Sequence, residues 1–335
     1  MVALNSIITN LNSGYENVTS LIENRYNFGD EPDYWTNQPF PPFDFYGFAD
    51  VVFIQSDGKI IVGGQSGTFD NSYGDYSVLK RFNANGTLDE TFVSPKFHGS
   101  NNGYIRDVAQ QSDGKLIVVG HFTYADDDPV NRSIRLNTNG SIDNTFNTGG
   151  FNNIVFVCKV LNDDSILLGG NFNSYDGDGN SHLLKLNSDG TIDYTFAGNV
   201  SIDNRVYTIA VDANDKIYAG GNFSNRIIKL NSDGTTDGSF DPGSGFNDSV
   251  LAIQIQSNGK LIVGGWFDYY NGSPCNQCVT RLETSGAVDG TFASEGSGIQ
   301  QWSGLGVQSL AIQNDGKIIA VGWFVVYNNT LQRGI

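Results

Sequence analysis

The sequence predicts an all-β chain: a β-propeller of about six four-stranded blades behind a non-repeating N-terminal arm. Three observations carry that reading. A short hairpin returns along the chain, as QSDGKIIVGG at 55–64, QSDGKLIVVGHF at 111–122, QSNGKLIVGGWF at 256–267 and QNDGKIIAVGWF at 313–324. A second module alternates with it: RFNANGTLDETF at 81–92, RLNTNGSIDNTF at 135–146, KLNSDGTIDYTF at 185–196, KLNSDGTTDGSF at 229–240 and RLETSGAVDGTF at 281–292. The second strands of the hairpins are apolar at consecutive rather than alternate positions, which marks burial on both faces. A small sheet covered on both faces and repeated around a ring is a propeller blade held between two neighbours.

Residues 1–48 do not repeat. Apolar clusters at Ile7, Ile8 and Leu11, then at Leu21 and Ile22, suit short amphipathic helices. A proline-rich aromatic stretch with Tyr34, Trp35 and Phe40 follows, too apolar for a bare linker and poor in regular structure because of its prolines. The expectation is an attachment or oligomerisation arm that contacts other subunits. The propeller then occupies 49–335, with repeats starting near 49, 105, 154, 205, 249 and 306 and the last one incomplete at Ile335.

Within each repeat the hairpin centre falls at Gly58, Gly114, Asp164, Asp215, Gly259 or Gly316. Asp-Gly and Asn-Gly at these places predict two-residue turns with both central residues at positive φ. Val62, Val118, Leu168, Ala219, Val263 and Ala320 take the same place in successive blades. Asp89, Asp143, Asp193, Asp237 and Asp289 recur in the second module, each followed three residues later by Phe92, Phe146, Phe196, Phe240 or Phe292. An asymmetric catalytic site does not need five copies. Each Asp is therefore expected to cap its own turn, and each Phe to fill a gap between blades.

Composition narrows the partners. Thirty-six acidic against 19 basic side chains give a net charge of −17. Such a chain repels nucleic-acid phosphates and anionic lipid, so nucleic acid is not an expected partner. No stretch reaches the ~20 apolar residues of a membrane-spanning helix, so no membrane insertion is expected. The first twenty residues lack both a basic start and a continuous apolar run, so export by lysis is expected rather than by a cleaved leader.

The three cysteines, Cys158, Cys275 and Cys278, give one CxxC without the four ligands of a zinc site; an ordinary loop, with room for a local disulfide, is expected. Asp176, Asp178 and Asn180 follow a calcium-like order, but the glycine and glutamate of a binding loop are missing, so an acidic loop is the better reading. The three histidines show no nucleophile or metal spacing, and no cofactor motif is present. Recognition should use what differs between blades. The loops 123–131, 173–181 and 268–278 are long, and Trp266, Tyr269, Tyr270, Trp323 and Tyr327 bring aromatic side chains to blades five and six, suited to sugar stacking or a protein contact.

The paired submotifs, QSDGK-(I/L)-(I/L)-V-G-G-x-F and (R/K)-L-N-x-(D/N)-G-(T/S)-(L/I)-D-x-T-F, resemble the delta-sixty repeat β-propeller family over roughly residues 49–335. The resemblance implies a non-enzymatic propeller of exported bacterial surface proteins and of phage virion or tail proteins, with no catalytic residues. The expected role is a phage virion structural or tail protein, displaying its propeller for assembly or host-surface recognition as part of an oligomer on the extracellular particle. The alternative is a bacterial cell-surface adhesin or lectin-like propeller that binds glycans. A propeller glycosidase or lactonase would need paired acids or a metal at the central channel, and no blade is expected to break the repeat with such a group.

Overall fold

A computed structural model describes residues 49–66, 76–99, 103–146, 149–179, 182–275, 278–292, 299–300, 306–323, 326–327 and 330–331. The arm residues Ile7, Ile8, Leu11, Leu21, Ile22, Tyr34, Trp35 and Phe40 lie outside the described residues.

The chain is an all-β propeller. Its six inner strands are Ala49–Ile54, Ile105–Gln110, Val155–Val160, Val206–Val211, Val250–Ile255 and Val307–Ile312. Each is followed by an antiparallel middle strand: Ile60–Ser66, Leu116–Gly120, Ile166–Gly170, Ile217–Gly221, Leu261–Gly265 and Ile318–Gly322. Outer strands complete the first five blades at Tyr76–Phe82, Ser133–Leu136, Leu183–Leu186, Ile227–Leu230 and Val279–Leu282. In blades two to five the fourth strand is cut to a single bridge, such as Leu136 to Ile142 or Leu282 to Val288, whereas in blade one Phe97–His98 also pairs with the outer strand. Three strands and a bridge stand where four strands are expected, because the second module turns back almost at once to place its Asp and Phe. One helix, Tyr194–Asn199, interrupts the β pattern after blade three.

The register is the same in every blade. Val62, Val118, Leu168, Ala219, Val263 and Ala320 pair with Val52, Val108, Cys158, Ile209, Ile253 and Leu310. Middle strands of blades two to five are buried at all five positions, as their unbroken apolar runs predict. The core lies between blades rather than within them: one cluster joins Ile61 and Leu79 of blade one to Leu116 and Ile134 of blade two, with Phe92 filling the gap. Phe146, Phe196 and Phe240 do the same at later junctions.

The paired glycines at the end of the middle strand follow from this packing. A Cβ on Gly169, Gly220 or Gly264 would collide with the first valine of the next inner strand, Val206, Val250 or Val307. A Cβ on Gly221 or Gly265 would strike the carbonyl of Arg205 or Ser249, where the strand closes against its own blade.

The hairpin turns differ from the expectation. Gly58 N–H donates to Gln55 O (2.9 Å) and Gln55 N–H to Lys59 O (2.8 Å), which makes a three-residue loop with one left-handed residue. Only the third loop residue takes positive φ: Gly58 at 83°, Gly114 at 86°, Gly259 at 82° and Gly316 at 82°. Blades three and four put Asp164 (63°) and Asp215 (57°) in that conformation, at the steric cost a Cβ carries there.

Candidate ligand site at the mouth of the central channel

The recurring acids are occupied. Asp89 Oδ1 accepts from Thr91 N–H (3.1 Å) and Thr91 Oγ1 (2.6 Å), the cap expected of it. Its other oxygen makes contacts that the motif alone did not reveal: Arg81 Nε at 2.8 Å and Lys59 Nζ at 2.9 Å. Asp143 repeats the arrangement with Arg135 (2.7 Å) and Lys115 (3.0 Å), and Asp289 with Arg281 and Lys260 (both 2.7 Å). The arginine also lies over the module's Phe ring, Arg135 at 4.7 Å from the centroid of Phe146, and reaches the next blade by donating to Ser188 O.

Blade three lacks the hairpin lysine, with Ser165 in its place; Asp193 keeps its pair with Lys185 (3.3 Å) and also caps the helix by accepting from Thr195 and Phe196 N–H. Capping and ion pairing hold Asp89, Asp143, Asp237 and Asp289 well below the usual carboxylate range. They are structural groups.

The two ends of the propeller therefore differ in how their charges are paired. At the turn end sits every ion pair within 4 Å among the described residues. At the other end, where inner strands begin and middle strands finish, Arg106, Arg132, Arg205 and Arg226 have no carboxylate within 4 Å among those residues. Neutral oxygens hold three of them: Arg132 Nη1 donates to Phe151 O (2.9 Å), Arg205 Nε to Asn171 Oδ1 (2.9 Å) and Arg226 Nη1 to Phe223 O (2.7 Å). The Nε atoms of Arg106, Arg132 and Arg226 are buried without a hydrogen-bond partner.

The inner strands enclose a channel of about 680 Å³. Each strand opens with a β-bulge, so that one extra residue per blade is re-aimed at this end of the channel. Those six residues are Asp50, Arg106, Phe156, Tyr207, Leu251 and Gln308, and no two are alike. Phe156 and Tyr207 touch with ring centroids 5.2 Å apart. Below them Asp107 is half-buried, accepting from Val108 N–H (2.9 Å) and Cys158 N–H (3.0 Å), and desolvation raises its pKa against the opposing charge of Lys159. Burial likewise raises Asp50, against Arg106.

These residues correct the expectation that no blade breaks the repeat at the channel: Asp50, Arg106, Asp107 and Lys159 do. The bulge position falls before the conspicuous motif, so its variability carried no signal of its own. Among the described residues no group of three or more histidines, cysteines or acids is placed to hold a metal ion.

The aromatic candidates separate. Trp266 lines the channel and is 37% exposed; Trp323, at the same place in blade six, is 49% exposed. Both side chains are outside the wedges between blades, which Phe267 fills in blade five. Tyr269 is exposed on a small hairpin, Tyr269–Tyr270 against Ser273–Pro274.

Tyr270 is not available to a ligand. It is 2% exposed, packs on Phe246 (4.4 Å) and donates to Gly286 O (2.6 Å), because strand alternation turns it opposite to Tyr269. Tyr327 pairs through its backbone with Ile299, and its side chain lies outside the described residues. Asp176 and Asp178 sit on the equivalent hairpin of blade three, with Asp178 accepting from Tyr194 OH (3.3 Å); Asn180 lies outside the described residues. Cys275 and Cys278 are thiols rather than a disulfide, and burial pushes both up to about 12. Among the described residues no helix is long and apolar enough to cross a membrane.

Among solved structures, the extracellular domain of a hybrid two-component system from B. thetaiotaomicron is similar, with a TM-score of 0.53 at 16% identity over 86% of this chain. The chain spans 33% of that protein's length. Virginiamycin B lyase from Staphylococcus aureus gives 0.49 at 12% identity, over 80% of this chain and 82% of its own. A gluconolactonase from Xanthomonas campestris gives 0.43 at 10% identity, over 84% of each. The first shows the propeller fold alone, and the other two carry no argument. Among curated proteins none matches the chain. The family described as a domain of unknown function (DUF5122) beta-propeller matches residues 55–92, 111–146, 161–196, 213–240, 256–292 and 313–335, one segment for each blade. Matched over more than half its length, the chain belongs to the DUF5122 β-propeller family.

Proposed function

We propose that the chain is a non-enzymatic recognition module: a propeller displayed on a phage virion, or alternatively on a bacterial surface, that binds a host-surface glycan or protein with its mouth end. One observation carries the reading. The turn end repeats the same ion pairs from blade to blade, whereas the mouth end presents a different side chain in every blade and leaves Trp266, Trp323 and Tyr269 exposed. Exposed aromatics beside amides and guanidinium groups suit a sugar face or a protein contact. The acidic, nearly methionine-free composition fits a protein that works outside a cell.

The test is retention of labelled full-length protein on intact bacterial cells. The variant Trp266→Ala/Trp323→Ala is expected to lose at least about tenfold in retention, while melting within ~2 °C of the parent. Retention unchanged by the double variant would contradict the reading, as would chemical turnover of a retained glycan. The mass of the native assembly, with and without residues 1–48, tests whether that arm joins the propeller to partner subunits.

A further inference from the structure

We infer that residues 8–19 close the ring, supplying the outer strand and the second module of blade six. The edge comes first. Among the described residues no third strand pairs with Ile318–Gly322, whereas the equivalent strands of blades one to five each carry an outer partner. Ile318, Ile319 and Ala320 are accordingly half-buried, where the same three positions in blades two to five are buried. Such an edge leaves backbone N–H and C=O groups open to a further strand.

Blade five shows the same gap from its own side. Phe292 is half-buried, while Phe92, Phe146, Phe196 and Phe240 are at most 5% exposed. Arg81 and Arg135 reach across to the next blade, where Nη1 donates to Thr138 O and Ser188 O. Each acceptor stands two residues after the leucine that ends that blade's outer strand, Leu136 or Leu186. Arg281 has no such acceptor among the described residues and is 21% exposed, against 8% for Arg81 and Arg135. The missing element is a strand that ends in an apolar residue and offers a carbonyl two residues on.

Residues 8–19 have that form. ITNLNSGYENVT matches VTRLETSGAVDGT at 279–291 with one turn residue fewer. Ile8, Thr9 and Leu11 take the places of Val279, Thr280 and Leu282, Gly14 that of Gly286 and Thr19 that of Thr291. Asn10 and Asn17 fall where Arg281 and Asp289 form their ion pair (2.7 Å), so cation and acid give way together to neutral amides. Losing both leaves no buried charge without a partner. The match ends at Ser20, which stands in the place of the module's Phe.

Chain order agrees. Every second module precedes the inner strand of the following blade, and residues 8–19 precede Ala49–Ile54 of blade one. Residues 21–48 exceed the length needed to cross one blade, about 15 Å at strand spacing. Ile8 and Leu11 then belong to the propeller core, and a partner subunit would meet residues beyond 19.

The closure fixes a register. Leu282 pairs with Leu261 and Thr280 with Val263, so Leu11 lies opposite Ile318 and Thr9 opposite Ala320. Oxidation of the full-length Thr9→Cys/Ala320→Cys variant, followed by peptide mapping, should give a disulfide within one chain. It should be at least about tenfold more abundant than in Asn10→Cys/Ala320→Cys, whose thiols point to opposite faces. Hydrogen exchange of the unaltered protein covers a variant that fails to fold. Peptides spanning 8–11 and 318–322 should exchange within about tenfold of one spanning 261–265. No bond in the folded variant, or equal bonding in the control, would overturn the inference. A bond between chains would assign the strand to a second copy and overturn it as well. So would fast exchange at 8–11, and slow exchange at 318–322 beside it would mean that another segment fills the edge.

Discussion

The two ends of this propeller are built from the same strands yet use charge in opposite ways. At the turn end, Asp89, Asp143 and Asp289 each gather one arginine and one lysine, and Arg81 and Arg135 also cross to the next blade. At the mouth end the β-bulge delivers a different residue in every blade, and four arginines lack a carboxylate partner among the described residues. Repetition marks what holds the ring together, and its failure marks where a ligand would sit.

The largest effect expected from breaking the repeated scaffold comes from Gly264→Leu. Its side chain would drive into Val307 and Leu310 of the next blade. Overpacking of this kind against the buried side chains of the next blade should cost about 3 kcal/mol, read as loss of soluble protein or a large fall in the urea midpoint. Next comes Asp143→Asn, which leaves Arg135 and Lys115 without their carboxylate at a site only 5% exposed. We expect about 2–4 kcal/mol there. Asp193→Asn in blade three, where the hairpin lysine is absent, keeps the oxygen that caps the helix and loses only the pair with Lys185 (3.3 Å), and should cost less than about 1 kcal/mol. Equal losses at the two positions, measured by denaturation, would show that the ion-pair network adds nothing.

Acid sharpens the same contrast. The four network carboxyls have folded-state pKa values below their ordinary 3.8. Their contribution is thus fully present above that value and is lost as pH falls below it. The urea midpoint should hold steady from about pH 7 to 5 and decline below about 4, less steeply in Asp143→Asn. A midpoint independent of pH down to about 3 would contradict the network's role. The smallest expected effect is a gain: Asp215→Gly removes a left-handed aspartate whose carboxylate accepts, among the described residues, a long hydrogen bond from Asn162 (3.4 Å), and should stabilise by about 0.5 kcal/mol. Asp164→Gly should gain nothing, because the Asp164 carboxylate accepts from Ser112 N–H (2.7 Å).

How much of this was legible in the sequence follows from where information repeats. Blade number, the buried middle strands and the structural role of each Asp and Phe stand in five or six aligned copies. The cation partners were present in the same copies, as the lysine after the hairpin glycine and the Arg or Lys opening the second module, but their convergence on one aspartate is a tertiary fact. The turn type was misread because Asp-Gly supports two loop lengths, and only the pairing of Ile54 with Ile60 decides between them. Tyr270 was misplaced because its neighbour Tyr269 is exposed and two residues on a strand face opposite ways. The channel ring was invisible because a bulge residue obeys no period.

Melting temperature compared across the two ends is the most direct test of this division. The account predicts that Arg106→Gln/Arg205→Gln melts within about 2 °C of the parent while Asp143→Asn melts about 5 °C or more below it. A mouth-end double variant that melts as low as Asp143→Asn, or an Asp143→Asn that melts with the parent, would contradict it.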